Sequence, residues 1–137
     1  MIARLPDWPE RLAEAVENAR SKPFRWGGRD CALFAADCAA ALTGRDPLSH
    51  VRGQYETRMG AAFTLARLGC EDVAQLADTL WPRVRLALAR RGDWVISPPG
   101  APMALGVCLG KQAAFLAPEG FAFRHTALCS AAWKVGE

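Results

Sequence analysis

Phe24-Arg25-Trp26-Gly27-Gly28-Arg29-Asp30-Cys31-Ala32-Leu33-Phe34-Ala35-Ala36-Asp37-Cys38 is the stretch on which the reading of the fold turns. A Trp-Gly-Gly turn leads into Asp30, and a run of helix formers follows. Asp30 is a natural N-cap, because its carboxylate can accept from the free amides of a first helical turn. Cys31 then occupies the first helical position. Free amides and the positive end of the helix dipole favour an anion there, which would stabilise a thiolate. A cysteine nucleophile needs that environment, since the thiolate is the attacking species. A small cysteine packed into the core at a helix start is the plainer reading of the same residues.

The helix that begins at Cys31 is expected to run to about Leu42 and to stop at Gly44. Its composition is so apolar that it belongs in the middle of the fold. Upstream, Asp7-Trp8-Pro9-Glu10 opens another helix, with Asp7 as cap, Glu10 closing a capping box and Pro9 in the first turn. Leu12, Val16 and Ala19 form its apolar stripe. Downstream, residues 45–54 read as a loop that carries His50, a surface histidine by the ordinary expectation. A helix is predicted over Glu56–Leu68 with Met59, Phe63, Ala66 and Leu68 inward. Another is predicted over Glu71–Leu80, ended by Pro82.

Beyond residue 90 the pattern shortens. Trp94–Ile96, Ala104–Leu109, Gln112–Leu116, Phe121–His125 and Ala131–Val135 read as strands, separated by Gly- and Pro-rich turns. Helices followed by short antiparallel strands make an α+β class. The 137 residues suit one domain, residues 1–137. Net charge is +3, which does not by itself point to nucleic acid. Four arginines between Arg83 and Arg91 are expected to form a solvated edge, with an anionic partner as the sharper alternative. No apolar run approaches the ~20 residues of a spanning helix, and the first residues lack a signal-peptide pattern. Synthesis and folding in a cytosol are therefore expected.

The five cysteines, Cys31, Cys38, Cys70, Cys108 and Cys129, are widely spaced and odd in number, which argues against a disulfide framework. Cys31 and Cys38 share a helix face but are separated by ~10 Å of rise, too far for a bridge. No C-x-x-C pair exists, and the two histidines are remote from any cysteine pair. No metal site and no cofactor are expected.

Three segments resemble the NlpC-type papain-like cell-wall peptidases. Phe24 to Leu33 is similar to the family's nucleophile segment, in which an aromatic, a Trp-Gly pair and Asp-Cys enter the central helix. Arg90-Arg91-Gly92-Asp93-Trp94-Val95-Ile96 is similar to its Pro-Gly-Asp-Leu-Val strand. Ala104-Leu105-Gly106-Val107-Cys108-Leu109-Gly110 is similar to its His-Val-Gly-Ile-Tyr-Leu-Gly strand. The resemblance implies a papain-like fold in which N-terminal helices, with a central Cys31-bearing helix, pack on a small antiparallel sheet from the C-terminal half. It also implies that Cys31 holds the nucleophile position and that Trp26, Gly27, Gly28 and Asp30 line a vestigial cleft.

The departures from that pattern are chemical. The family's catalytic histidine falls at Ala104, and the polar residue that orients it falls near Leu116. An alanine can neither lower the thiol pKa nor protonate a leaving amine, and loss of that partner forfeits ~10²–10⁴ in rate. His125 is the remaining candidate base. Short domains of this kind resemble components of phage and prophage tails, including gene-transfer-agent tails. The implied role is structural, in a tail tip, baseplate or tail assembly. Its partners would be hub, fibre or tape-measure-related proteins, with peptidoglycan as a further candidate and with no membrane span and no nucleic acid. The protein would be made in the host cytoplasm and carried on the virion tail. The alternative is an active cysteine peptidase or amidase that cleaves peptidoglycan stem peptides, with Cys31 as nucleophile and His125 as base. A toxin or immunity-type papain fold is a third reading.

Overall fold

The structure is a computed structural model that describes residues 2–137. Helices come first: α1 (Trp8–Arg20), α2 (Cys31–Thr43), α3 (Arg58–Arg67) and α4 (Val73–Leu80). Strands follow: β1 (Arg83–Val84), β2 (Trp94–Ile96), β3 (Leu105–Cys108), β4 (Gln112–Ala117), β5 (Gly120–His125) and β6 (Ala131–Trp133). They form a six-stranded antiparallel sheet in the order β1-β6-β2-β3-β4-β5. The α+β class read from the sequence is the observed one.

Alternation divides the sheet into two faces. Trp94, Ile96, Leu105, Val107, Ala114, Leu116 and Trp133 join Leu33, Phe34, Ala36 and Leu42 in the main core. Val95, Cys108, Ala113, Phe115 and Ala132 point the other way. That second face is covered by residues such as Leu86, Ala89 and Cys129, in and beside two short 3-10 turns, Leu86–Leu88 and Thr126–Leu128. α2 is buried along almost its whole length, and its alanines let the sheet approach closely. The Trp94 indole reaches across and donates to the Ala35 carbonyl at 3.0 Å. Gly106 makes room on the second face, since a Cβ there would stand 2.3 Å from the Phe115 ring.

Local grammar accounts for most boundaries. Asp30 accepts from the Leu33 amide, and Gly44 ends α2 in the left-handed region. Thr57 caps α3 and Asp72 caps α4 through their side chains. Three expectations need correction. Asp7 takes the N-cap position of α1 as expected, but its side chain makes no cap hydrogen bond, and its backbone is outside the extended region that side-chain capping uses; its Oδ1 instead accepts from Arg11 at 2.9 Å. The inward face read for α3 is wrong: Met59 is 69% and Phe63 64% exposed. Thr64 is the buried residue of α3, because the helix lies at the periphery and only one narrow side meets the molecule. β1 was not expected, since two residues carry no periodicity; β6 recruits it by pairing Arg83 with Trp133.

The chain ends are tied together by a buried ion pair. Arg4 and Asp93 meet at 3.0 Å with both side chains 2% exposed. Asp93 also accepts from the Val135 and Arg90 amides. Arg4 donates to the Val135 and Arg91 carbonyls and stacks over Trp8. Burial and the neighbouring Arg90 depress the Arg4 pKa, while Asp93 opposes that shift. Removing one member strands the other in a dry environment. Asp93→Ala should therefore cost about 3–5 kcal/mol, read by chemical denaturation. A loss under about 1 kcal/mol, the range of exposed pairs, would contradict this account.

Candidate functional site

The turn before α2 is built around one carboxylate. Asp30 is 2% exposed. Its Oδ1 accepts from the Leu33 amide and its Oδ2 from the Gly27 amide, both at 3.0 Å. Oδ2 also accepts from the Tyr55 hydroxyl. The Gly27 carbonyl in turn accepts from the Gly53 amide at 2.9 Å. Gly27 has φ +78°, and a Cβ there would stand 1.9 Å from the Tyr55 carbonyl oxygen. No other residue fits that position. Trp26 packs edge-on against Phe24 at 4.8 Å.

This turn delivers Cys31 to the start of α2, facing the start of β3. The residue is half-buried and lines a cleft of about 440 Å³. The cleft walls are Phe24 and Trp26 on one side, Pro102, Met103 and Ala104 above, and Phe115, Leu116 and Phe121 from the sheet. Ser97, Arg58, Glu119 and Arg124 supply its polar side chains. Ser97 is already engaged: its hydroxyl donates to the Pro102 carbonyl and accepts from the Ala104 amide. It fixes the loop that carries Ala104. A smaller apolar cavity of about 60 Å³ opens behind Cys31, toward Leu48, Val51, Leu65 and Leu76.

The surroundings of the thiol disfavour its ionisation. Burial pushes the Cys31 pKa up to about 11; Asp30 adds to the rise, while the Leu105, Ala32 and Cys31 amides act against it. Cys38, deeper in α2, is pushed further in the same direction by burial and by Asp37. Burial also raises the Tyr55 pKa, helped by its bond to Asp30, so its hydroxyl donates at all ordinary pH.

Of the residues singled out from sequence, Trp26, Asp30 and Cys31 come together, with Gly27 and Gly28 in the same turn. His125 does not join them. It lies at the end of β5 paired with Gln112 and is not among the residues that line the cleft, although its neighbour Arg124 is. His50 is exposed in its loop. Tyr55, Arg58 and Arg124 were missed. Tyr55 is the sole tyrosine of the chain, but its partner lies 25 residues away, beyond any local pattern. All five cysteines are free. Among the described residues, no three His, Cys, Asp or Glu side chains cluster to hold a metal ion. Nor, among the described residues, is any helix long and apolar enough to cross a membrane.

The fold and cleft define a class: an α+β domain with a cysteine at the mouth of its central helix and no imidazole beside it. Residues 3–135 match the family described as a domain of unknown function, DUF6950. The chain belongs to that family. Comparison with curated proteins returns no match.

Two outcomes follow from this geometry. Tyr55→Phe removes a buried donor from Asp30 and should destabilise the fold by about 1–3 kcal/mol, measured by urea denaturation. The raised thiol pKa fixes a sign as well. The folded state keeps its proton where the unfolded chain loses it, so this contribution is intact below pH 9 and is lost as pH rises toward about 11. Cys31→Ala should flatten that alkaline decline in a pH series of melting temperatures; an unchanged slope would contradict it.

Proposed function

We propose that this domain is an NlpC-type, papain-like scaffold without its catalytic base, serving as a structural or binding component of a phage-type tail tip, baseplate or tail assembly. The juxtaposition of Cys31 and Ala104 carries the reading. Both line one cleft, and Ala104 directly precedes Leu105, whose amide favours the Cys31 thiolate. The position where the resemblance places the base holds a methyl group, which packs on the second face of the sheet, so residue 104 brings no base to the cleft. Leu116, where an orienting polar group is expected, is 2% exposed and packed in the main core. The packing of a cysteine-headed α2 on β3 and β4 supports the papain-like part of the proposal.

The tail role rests on the resemblance of residues 24–33, 90–96 and 104–110 to NlpC-type domains, short versions of which resemble phage and prophage tail proteins. Hub, fibre or tape-measure-related proteins are the partners it implies. The peptidase alternative needs a general acid to protonate the leaving amine. His125, which does not line the cleft, is poorly placed to supply it.

Two measurements test the proposal. Purified protein incubated with peptidoglycan stem peptides should release no new amine over buffer, and Cys31→Ser should behave identically. Hydrolysis that Cys31→Ser abolishes would establish the peptidase instead. Purified tail particles should contain the chain at a fixed ratio to the hub protein, by quantitative mass spectrometry. Its absence from particles would remove the tail role.

A further inference from the structure

The second face of the sheet carries a feature that the cleft does not use. Leu88 is 65% and Leu128 59% exposed. They lie on the two 3-10 turns that close this face, and the turns pack against each other. Beneath them lies the smaller core of Val95, Cys108, Phe115 and Ala132. The leucines therefore crown a formed hydrophobic layer.

Charge around them has one sign. Arg85, Arg90 and Arg91 flank Leu88 in sequence, are exposed and have no ion-pair partner among the described residues. Lys111 lies at the start of the turn that carries Leu128, its carbonyl accepting from the Thr126 amide at 2.9 Å. From residue 83 to residue 136 the only acids are Asp93 and Glu119. Asp93 is buried against Arg4, and Glu119 lines the cleft. The register puts the cleft at the far end of the sheet. Ile96, Leu105 and Ala117 approach the cleft end, whereas Trp94, Cys108, Gln112 and His125 mark the other.

We propose that this apolar, cation-ringed face docks an acidic, leucine-bearing segment of a protein partner. Charge complementarity selects that occupant. A second copy of this chain would bring arginine against arginine, which like-charge repulsion disfavours. A nucleic acid would use the cations but would leave two aliphatic side chains at the centre without the stacking that aromatic residues provide. An acidic segment with leucines satisfies both the apolar centre and the ring. The inference does not depend on the cleft, on Cys31 or on the tail proposal.

The test uses the full chain and a short fluorescein-labelled peptide that alternates Asp or Glu with Leu, read by anisotropy. Binding is expected at low ionic strength, weakening with salt as a charge-steered contact does. Arg85→Glu with Arg90→Glu should reduce affinity by at least about tenfold, as reversal of two charges at one contact implies. Leu88→Ser with Leu128→Ser should weaken it without removing the salt dependence. Both pairs lie on the surface, and circular dichroism establishes that each variant is folded. Arg58→Glu, at the cleft, should leave peptide binding unchanged. Absence of binding by the wild-type chain, equal binding by the variants, or tighter binding to a duplex oligonucleotide or to phosphatidylserine vesicles would each overturn the proposal.

Discussion

The site depends on one buried carboxylate. Asp30 holds together three pieces of chain: the glycine turn through the Gly27 amide, the first turn of α2 through Leu33, and the following loop through Tyr55. Each of those donors is a group that would otherwise lose its water without replacement. The geometry leaves no slack, because Gly27 lies against the Tyr55 carbonyl too closely for any side chain. The entry angle of α2 and the position of Cys31 are consequences of that arrangement. Asp30 therefore has a complete structural reason to be present, with or without catalysis.

The same arrangement decides the state of the thiol. Two effects compete at a helix N-terminus. Free amides and the dipole stabilise an anion, typically by a few tenths to ~1 kcal/mol near a surface. Loss of water destabilises it by more when the surroundings are apolar. At Cys31 desolvation is the larger effect, and the nearby Asp30 charge works on the same side. The helix start that makes a nucleophile plausible in sequence is thus overruled by packing. Among the described residues that line the cleft there is no histidine to tip this balance by pairing with the thiolate.

Much of the fold is legible in the sequence because helix termini and strand alternation are local signals. Asp30, Gly44, Thr57 and Asp72 occupy capping positions that short-range chemistry dictates. Strands β2, β3, β4 and β6 alternate cleanly between two cores. The failures share a cause, which is dependence on distant partners. Met59 and Phe63 are spaced as a core stripe but face outward, since nothing covers that side of α3. Asp7 stands at the N-cap, but its side chain bonds Arg11 rather than the helix amides. β1 exists only because β6 offers an edge. At the site, the turn and the thiol are readable, whereas Tyr55, Arg58 and Arg124 reach it through tertiary structure. The position of His125 follows from the β4–β5 register, which sequence alone leaves open.

The most direct measurement of whether this is a silent site is the pH dependence of Cys31 alkylation, followed by mass spectrometry with Cys38 as internal reference. A desolvated thiol without a base should react slowly at neutral pH, with a rate that climbs toward a midpoint of about 11. A midpoint below the ~8.5 of a free thiol, with fast reaction near neutrality, would mean that the cleft stabilises a thiolate and would contradict the account.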